Sequence, residues 1–196
     1  MTELRNYEVL APRNYAEYLK TPEGERWEII NGVPYYMTPA PTSLHQFVVS
    51  NLLSEFVVYL KGKQCRAVGS PFDVLLFATG KNDNEITTVV QPDLSIICDP
   101  SKIDKRGCNG APDLVVEVLS PSSLKRDKVE KLSLYRKAKV QEYWIVDIEH
   151  EMIEVYRFHD DPDTFPDIQQ YSTKTNPIAP VGIFEDLQIN LNDVFA

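Results

Sequence analysis

Cysteine is scarce in this 196-residue chain: Cys65, Cys98 and Cys108 are odd in number and form no CxxC pair. That arrangement offers neither a disulfide framework nor a zinc ribbon, and a reducing cytoplasm is the setting that suits it. Long apolar runs are also missing, since none approaches the roughly 20 residues that span a bilayer. Met1–Leu10 mixes Glu3, Arg5 and Glu8 with isolated apolar residues instead of forming a leader. The expectation is a soluble, unprocessed, cytoplasmic protein with no membrane partner. No internal repeat, low-complexity tract or linker divides the chain, so 1–196 reads as one domain, and 43% hydrophobic residues suffice for a sizeable core.

A general excess of positive charge is absent too, which excludes a uniformly basic nucleic-acid surface; the formal net charge is -9. The distribution matters more than the sum. Residues 147–196 hold eleven acids against two bases, which accounts for the whole excess, and the preceding 146 residues are neutral. Within that neutral part, 122–139 carries seven bases (Lys125, Arg126, Lys128, Lys131, Arg136, Lys137, Lys139) against Asp127 and Glu130. A local +5 on one segment could meet a phosphate backbone.

What is present is a chain of strand and helix signals. Residues 13–20 suggest a short helix, and Asn31-Gly32 between apolar runs at 26–30 and 33–37 is a strong hairpin signal. Pro41-Thr42-Ser43 opens a long helix in which Leu44, Phe47, Val48, Leu52 and Phe56 keep helical spacing up to Lys61-Gly62. Strand-like runs follow at 72–77, 89–98 and 114–119, with polar loops at 79–85 and 99–111. Pro121-Ser122-Ser123 starts a second helix, and the strand at 142–146 after it implies a crossover and parallel pairing. Strands at 152–158 and 168–171, separated by Asp160-Asp161-Pro162-Asp163, and a final 187–195 segment complete the order. The fold class expected is α/β or α+β: a single domain around a mixed β-sheet flanked by helices, with extra strands at both ends. Its core covers about 25–147, and 148–196 forms a β-rich extension.

Glu117 is the least ordinary residue in this pattern, because it interrupts Leu114-Val115-Val116 and Val118-Leu119. A carboxylate in such a strand carries a burial penalty of several kcal/mol on the order of magnitude unless a partner or metal accepts it. Two further acids occupy similar places: Glu28 in the first hairpin and Asp93 after Gln91-Pro92. Asp93 fits a strand-end cap as well as it fits a ligand. Asp127 and Lys131 share a helix face at four-residue spacing, for which a solvated ion pair is the simpler reading. His45 near a helix start suits packing or capping, Asp113 suits a local turn, and Tyr143 and Trp144 should be buried on opposite faces of their strand.

Acids on neighbouring strands followed by a lysine on the next helix resemble the magnesium-dependent PD-(D/E)XK nucleases. More narrowly, the chain resembles the restriction-endonuclease-like family expanded in cyanobacteria. The residues that carry the likeness are Trp27-Glu28-Ile29-Ile30-Asn31-Gly32, His45, Gln91-Pro92-Asp93-Leu94, the run from Ala111 to Ser123, Asp127, Lys131, Tyr135 and the run from Val140 to Asp147. The resemblance implies a restriction-endonuclease-like core and a nuclease acting on DNA with Mg2+ or Mn2+. It implies Asp93 and Glu117 as metal ligands, Glu28 completing the shell, and Lys131 positioning the attacking water. One departure stands out: the lysine usually found two residues after the second acid is replaced by Leu119. Lys131, then Lys128 or Lys125, must supply it. Cutting both strands of a duplex also suggests a homo-oligomer, with a dimer as the simplest form. Two alternatives stay open: a catalytically inactive nuclease-fold binding or assembly module, and a metal-dependent hydrolase of a small phosphorylated substrate.

Overall fold

The computed structural model describes residues 11–37, 42–121, 123–161 and 164–196. The segment Met1–Leu10, the helix-start residues Pro41 and Ser122, and Pro162-Asp163 of the acidic turn lie outside the described residues. A short helix α1 (Tyr15–Tyr18) precedes the hairpin β1 (Trp27–Ile30) and β2 (Val33–Tyr36). Asn31 and Gly32 between them take φ of 52° and 78°, the positive values that a two-residue hairpin turn of this hand requires. The long helix α2 (Ser43–Leu60) is capped by the Thr42 side chain, which accepts from the His45 amide.

The chain then builds β3 (Arg66–Gly69), β4 (Val74–Leu75), β5 (Val89–Val90), β6 (Leu94–Ile97), β7 (Ile103–Asp104), β8 (Gly107–Asn109) and β9 (Leu114–Val118). A π-helical turn (Arg126–Lys131) runs into α3 (Leu132–Lys137) and returns the chain to β10 (Glu142–Asp147). Strands β11 (Met152–Arg157), β12 (Asp167–Ser172), β13 (Ile178–Pro180) and β14 (Gln188–Asn190) and a last helix α4 (Leu191–Val194) complete the described fold. Strands β9 and β10 pair in parallel, as a helical crossover dictates.

The fold is mixed α+β in one domain, but the strands form two six-stranded sheets instead of one. The first has the order β2-β1-β5-β4-β8-β7 and the second β12-β11-β10-β9-β6-β3, with β13 and β14 as a separate ribbon. The run 89–98, which looked like one strand, is divided between them: β5 belongs to the first sheet and β6 to the second. The cause is local. Pro92 has no N–H to give a ladder, and the Gln91 N–H donates to Glu28 Oε1 at 3.0 Å instead of to a strand. The expected polar loop at 99–111 likewise holds a 3-10 turn and the β7–β8 hairpin.

The cysteine reading is corrected as well: Cys65 and Cys98 are joined by a disulfide, and Cys108 is free and buried. They directly flank β3 and β6, whose antiparallel register sets Arg66 opposite Ile97 and so brings the two cysteines face to face. Among the described residues, no helix is long and apolar enough to cross a membrane.

The central strands of the second sheet, β9 and β10, are buried on both faces. Leu114, Val116, Val118, Trp144 and Val146 pack with Val48, Leu52 and Phe56 of α2, and residues of the β13–β14 ribbon and α4 close this side. Val115, Tyr143 and Ile145 face the other way, against Leu134, Tyr135 and strands of the first sheet. Tyr143 and Trp144 are therefore both buried and on opposite faces, as alternation along a strand requires. Glu117 falls on the Val115 face, where the two sheets and the crossover helix meet.

Candidate active site

Five elements bring polar side chains to that meeting point. Strand β1 supplies Glu28, the passage between sheets supplies Asp93, β9 supplies Glu117, the π-turn supplies Asp127 and Lys131, and α2 supplies His45. All except Asp93 are buried, with Glu28 at 1% and Glu117 and Lys131 at 4% exposure. They line a cavity of about 560 Å3 whose walls also include Arg26, Tyr36, Gln91, Leu119 and Arg126. The π-turn matters for the geometry, since such widened turns re-aim side chains and recur at functional sites.

Lys131 holds the centre. Its Nζ lies 2.8 Å from Glu117 Oε1, 2.8 Å from Glu28 Oε1 and 3.8 Å from Asp127 Oδ1. An ammonium has three donors, and two are used in hydrogen bonds to the glutamates. The Asp127–Lys131 pair, which from spacing alone looked like a solvated surface contact, is instead buried. Lys128 turns away to Glu154 Oε1 at 3.1 Å, and Lys125 is exposed with no bond to the cluster.

The remaining contacts fix the acids. Tyr135 donates its hydroxyl to Glu117 Oε1 at 2.7 Å. Arg126 approaches Glu28 Oε2 at 3.6 Å while its guanidinium lies over the Tyr35 ring. Asp93 Oδ2 accepts the Val118 N–H at 2.8 Å, tying the loop acid to the strand that carries Glu117. His45 Nε2 is 3.4 Å from that same oxygen and 3.1 Å from the Val118 carbonyl, and its Nδ1 is buried without a hydrogen-bond partner among the described residues.

Burial raises the Glu117 carboxyl well above the usual range; the Lys131 charge opposes this, and Asp127, Asp93 and Glu28 add to it. Asp127 is raised for the same first reason, against Lys131 and a hydrogen bond from Ser123. Burial alone would lower Lys131, but Glu117, Glu28 and Asp127 outweigh it and hold the ammonium firmly protonated. His45 balances similarly: burial lowers it, while Asp93 and the Val118 carbonyl raise it above its ordinary value. Tyr135 is raised well above its usual value by burial and by Glu117, so its phenol stays a donor.

The structure thus gathers Glu28, Glu117 and Lys131 by direct contact and sets Asp93 on the neighbouring backbone. Sequence reasoning named Tyr135 and His45 without a site role and gave none to Arg126 or Gln91. Tyr135 was detectable, because it follows Lys131 by four residues and so shares its helix face. Asp113 is corrected: it is not a local turn residue, since its carboxylate accepts from Cys98 N at 2.7 Å and Gln141 Nε2 at 2.9 Å, joining β6 to the start of β10.

A mixed-sheet α+β domain with buried acids and a lysine at the sheet junction has the restriction-endonuclease-like nuclease fold. A crystal structure of a putative nuclease from Anabaena variabilis shares it, with a TM-score of 0.71 and 23% identity over 94% of this chain and 98% of that one. The chain belongs to the Uma2 family, described as "Putative restriction endonuclease", whose pattern matches residues 15–192. It is also 28% identical over 155 residues to the "Uncharacterized protein slr1290" of Synechocystis, covering 79% of this chain and 77% of that protein.

Proposed function

We propose that the protein is a divalent-cation-dependent nuclease that hydrolyses DNA phosphodiester bonds at the Glu117 cavity. The observation that carries this reading is Lys131, a buried ammonium held 2.8 Å from both Glu117 and Glu28 on the wall of the cavity. The nucleases that the chain resembles carry a lysine two residues after the second acid; Leu119 occupies that place here, and Lys131 reaches Glu117 from the following helix.

The donor set fits a hard cation. Glu117 Oε2 takes no hydrogen bond among the described residues, and Asp93 is held next to it in the fold because its Oδ2 accepts the N–H of Val118, the residue after Glu117. Magnesium is commonly held by one or two carboxylates with water and phosphate completing its shell. Among the described residues no group of three or more His, Cys, Asp or Glu is placed to hold a metal ion; Asp93 and Glu117, which line the same cavity, are the two carboxylates that would hold one with water and phosphate. Glu28 is engaged by Lys131, Gln91 N and Arg126 and serves better as the anchor of Lys131 than as a ligand. When bound, Mg2+ or Mn2+ would lower the pKa of a water and offset phosphate charge.

The chain's own groups do the rest. Lys131 points its remaining N–H at the attacking water or a phosphoryl oxygen and offsets the negative charge that gathers in the transition state. Glu28 keeps the ammonium protonated and aimed, and Tyr135 fixes which Glu117 oxygen faces the cavity. Cutting both strands of a duplex would require two such sites and hence a homodimer.

Cleavage of supercoiled, single-stranded and branched DNA with Mg2+ or Mn2+, compared with Lys131→Met, tests it. Metal-dependent nicking that the variant loses is the expected result. Absence of cleavage on every substrate with both metals would overturn it and favour the non-catalytic module.

A further inference from the structure

We infer that two copies of this chain associate through α2, the outer side of the helix packing antiparallel on the same side of α2 in the second copy, about a two-fold axis. The inference stands apart from the nuclease reading and gives the homodimer that reading asks for a definite surface.

The first observation is what α2 turns to solvent. Its inner side, Val48, Leu52, Phe56 and Leu60, is buried in the core against the second sheet. A helix that covers a core on one side ordinarily turns charged residues to water on the other. Here the outer side carries Leu44, Phe47, Val57 and Val58, exposed by 50%, 60%, 49% and 72%. Ser50 and Ser54, both exposed, fill the positions between them. Leu44, Phe47, Ser50, Ser54 and Val58 follow at steps of three or four residues and so form one stripe. Glu55 is the only Asp, Glu, Lys or Arg from Ser43 to Leu60, and it is half-buried.

The second observation is that a second copy suits this stripe. The chain carries a net charge of -9, so two copies repel unless they meet where neither bears charge. The 18 residues of α2 offer such a face over about 27 Å. The stripe is also its own complement when reversed. Phe47 and Val58 stand at equal distances from the midpoint between Leu52 and Leu53, with Ser50 and Ser54 inside them. An antiparallel pair therefore sets Phe47 of each copy on Val58 of the other, as a two-fold interface requires. The serines fall at the crossing, where small side chains allow the close end of the usual helix spacing of about 8–10 Å. A parallel pair would instead crowd Phe47 on Phe47, align the two helix dipoles and gather the exposed Lys61 and Lys63 of both copies at one end.

The third observation is size. A helix about 10–12 Å wide and 27 Å long presents a footprint of about 300 Å2. A standard stable interface takes roughly 800 Å2 from each partner. The dimer is therefore a weak one, with a dissociation constant between about 1 and 100 μM.

The test is sedimentation velocity on the full chain, in which wild type should pass from monomer to dimer across that interval. Phe47→Glu sets a charge against Val58 of the other copy and should raise the dissociation constant at least about tenfold. Phe165→Ser, at an 85% exposed ring on the loop before β12, should leave it unchanged. Mild oxidation of a mixture of Phe47→Cys and Val58→Cys chains should join one to the other. Phe47→Cys alone should not join to itself, because the antiparallel pair holds the two positions about 16 Å apart along the axis. A dimer that Phe47→Glu leaves intact, or that Phe165→Ser dissolves, overturns the inference. Self-joining of Phe47→Cys overturns it in favour of a parallel pair. A monomer at every concentration overturns it as well: a lower melting temperature in Phe47→Glu would then mean that another part of the same chain covers the face, and an equal one that a different partner does. No arm reads cleavage, so the nuclease reading stands or falls separately.

Discussion

Glu117 and Glu142 sit on adjacent parallel strands, β9 and β10, and both are buried, yet their surroundings differ in kind. Glu142 faces the α2 side, where Trp144 Nε1 donates at 2.7 Å and the Ile183 N–H at 3.0 Å, with the Gly182 N–H and Arg157 also directed at it. Gly182 has no room for a side chain: an added Cβ would lie 2.7 Å from Glu142 Oε2 and 2.4 Å from Arg157 Nε. Its carboxylate is enclosed and pins the C-terminal ribbon to the sheet. Glu117 meets a lysine ammonium and a phenol on one oxygen and lines a cavity with its side chain. A buried acid surrounded by fixed N–H donors is a fastener, and one held by a cation beside an open volume is available for chemistry.

Opposite replacements should break that comparison most clearly. Glu117→Gln should lower metal-dependent cleavage by more than about a hundredfold, since even indirect partners of a metal ligand typically cost 10–100-fold. Its thermal midpoint should hold or rise, because a neutral amide removes a charge that burial disfavours. Glu142→Gln should do the reverse. An amide nitrogen facing backbone N–H groups loses about 2 kcal/mol, a drop in Tm of roughly 4–8 °C for a chain of this size, while specific activity of the folded fraction stays within about twofold. Calorimetry and a cleavage assay on both variants check this, and loss of activity in Glu142→Gln without loss of stability would abolish the distinction.

Much of this contrast could be read in the sequence, and the reasons the rest could not are physical. A lone acid in an apolar strand is a local signal, so Glu117 stood out. Lys131 was reachable only through the family resemblance, because its four-residue spacing from Asp127 taken alone reads as a solvated ion pair. Glu142 gave no such sign, because its partners Gly182 and Ile183 lie some forty residues away and donate through backbone that every residue has. The division of 89–98 between two sheets was hidden for a related reason: it depends on Gln91 N finding Glu28 across the fold, and periodicity within ten residues cannot register it. The Cys65–Cys98 bridge required the β3–β6 register, and β3 itself, Arg-Ala-Val-Gly, is too short and too mixed to announce a strand.

A smaller effect would sharpen the Glu117 side. Tyr135→Phe removes the phenol from Glu117 Oε1 and leaves Lys131 as its partner. Cleavage should fall roughly tenfold through a less well-fixed carboxylate, and stability by about 1 kcal/mol. The accompanying rise in the metal concentration needed for half-maximal rate would mark a positioning role, which a purely structural tyrosine would not produce.

The smallest difference expected is in pH dependence. Burial raises both carboxyls, Glu117 the further of the two, because Asp127, Asp93 and Glu28 reinforce it while Trp144, Arg157 and the Ile183 and Gly182 amides restrain Glu142. A carboxyl raised in the folded state binds its proton more tightly there than in the unfolded chain. Its contribution to stability is then full below the ordinary value of about 4.3 and is lost as pH rises through the raised value. Lys131, raised above the ordinary lysine range, acts only at much higher pH. Lowering pH from 8 to 5 should therefore shift the wild-type midpoint upward relative to each glutamine variant, more against Glu117→Gln than against Glu142→Gln. Thermal melts across that interval measure it. Equal slopes for the two variants would mean that the cation and the fixed amides hold their acids alike, and that the cavity side of Glu117 carries no special electrostatic burden.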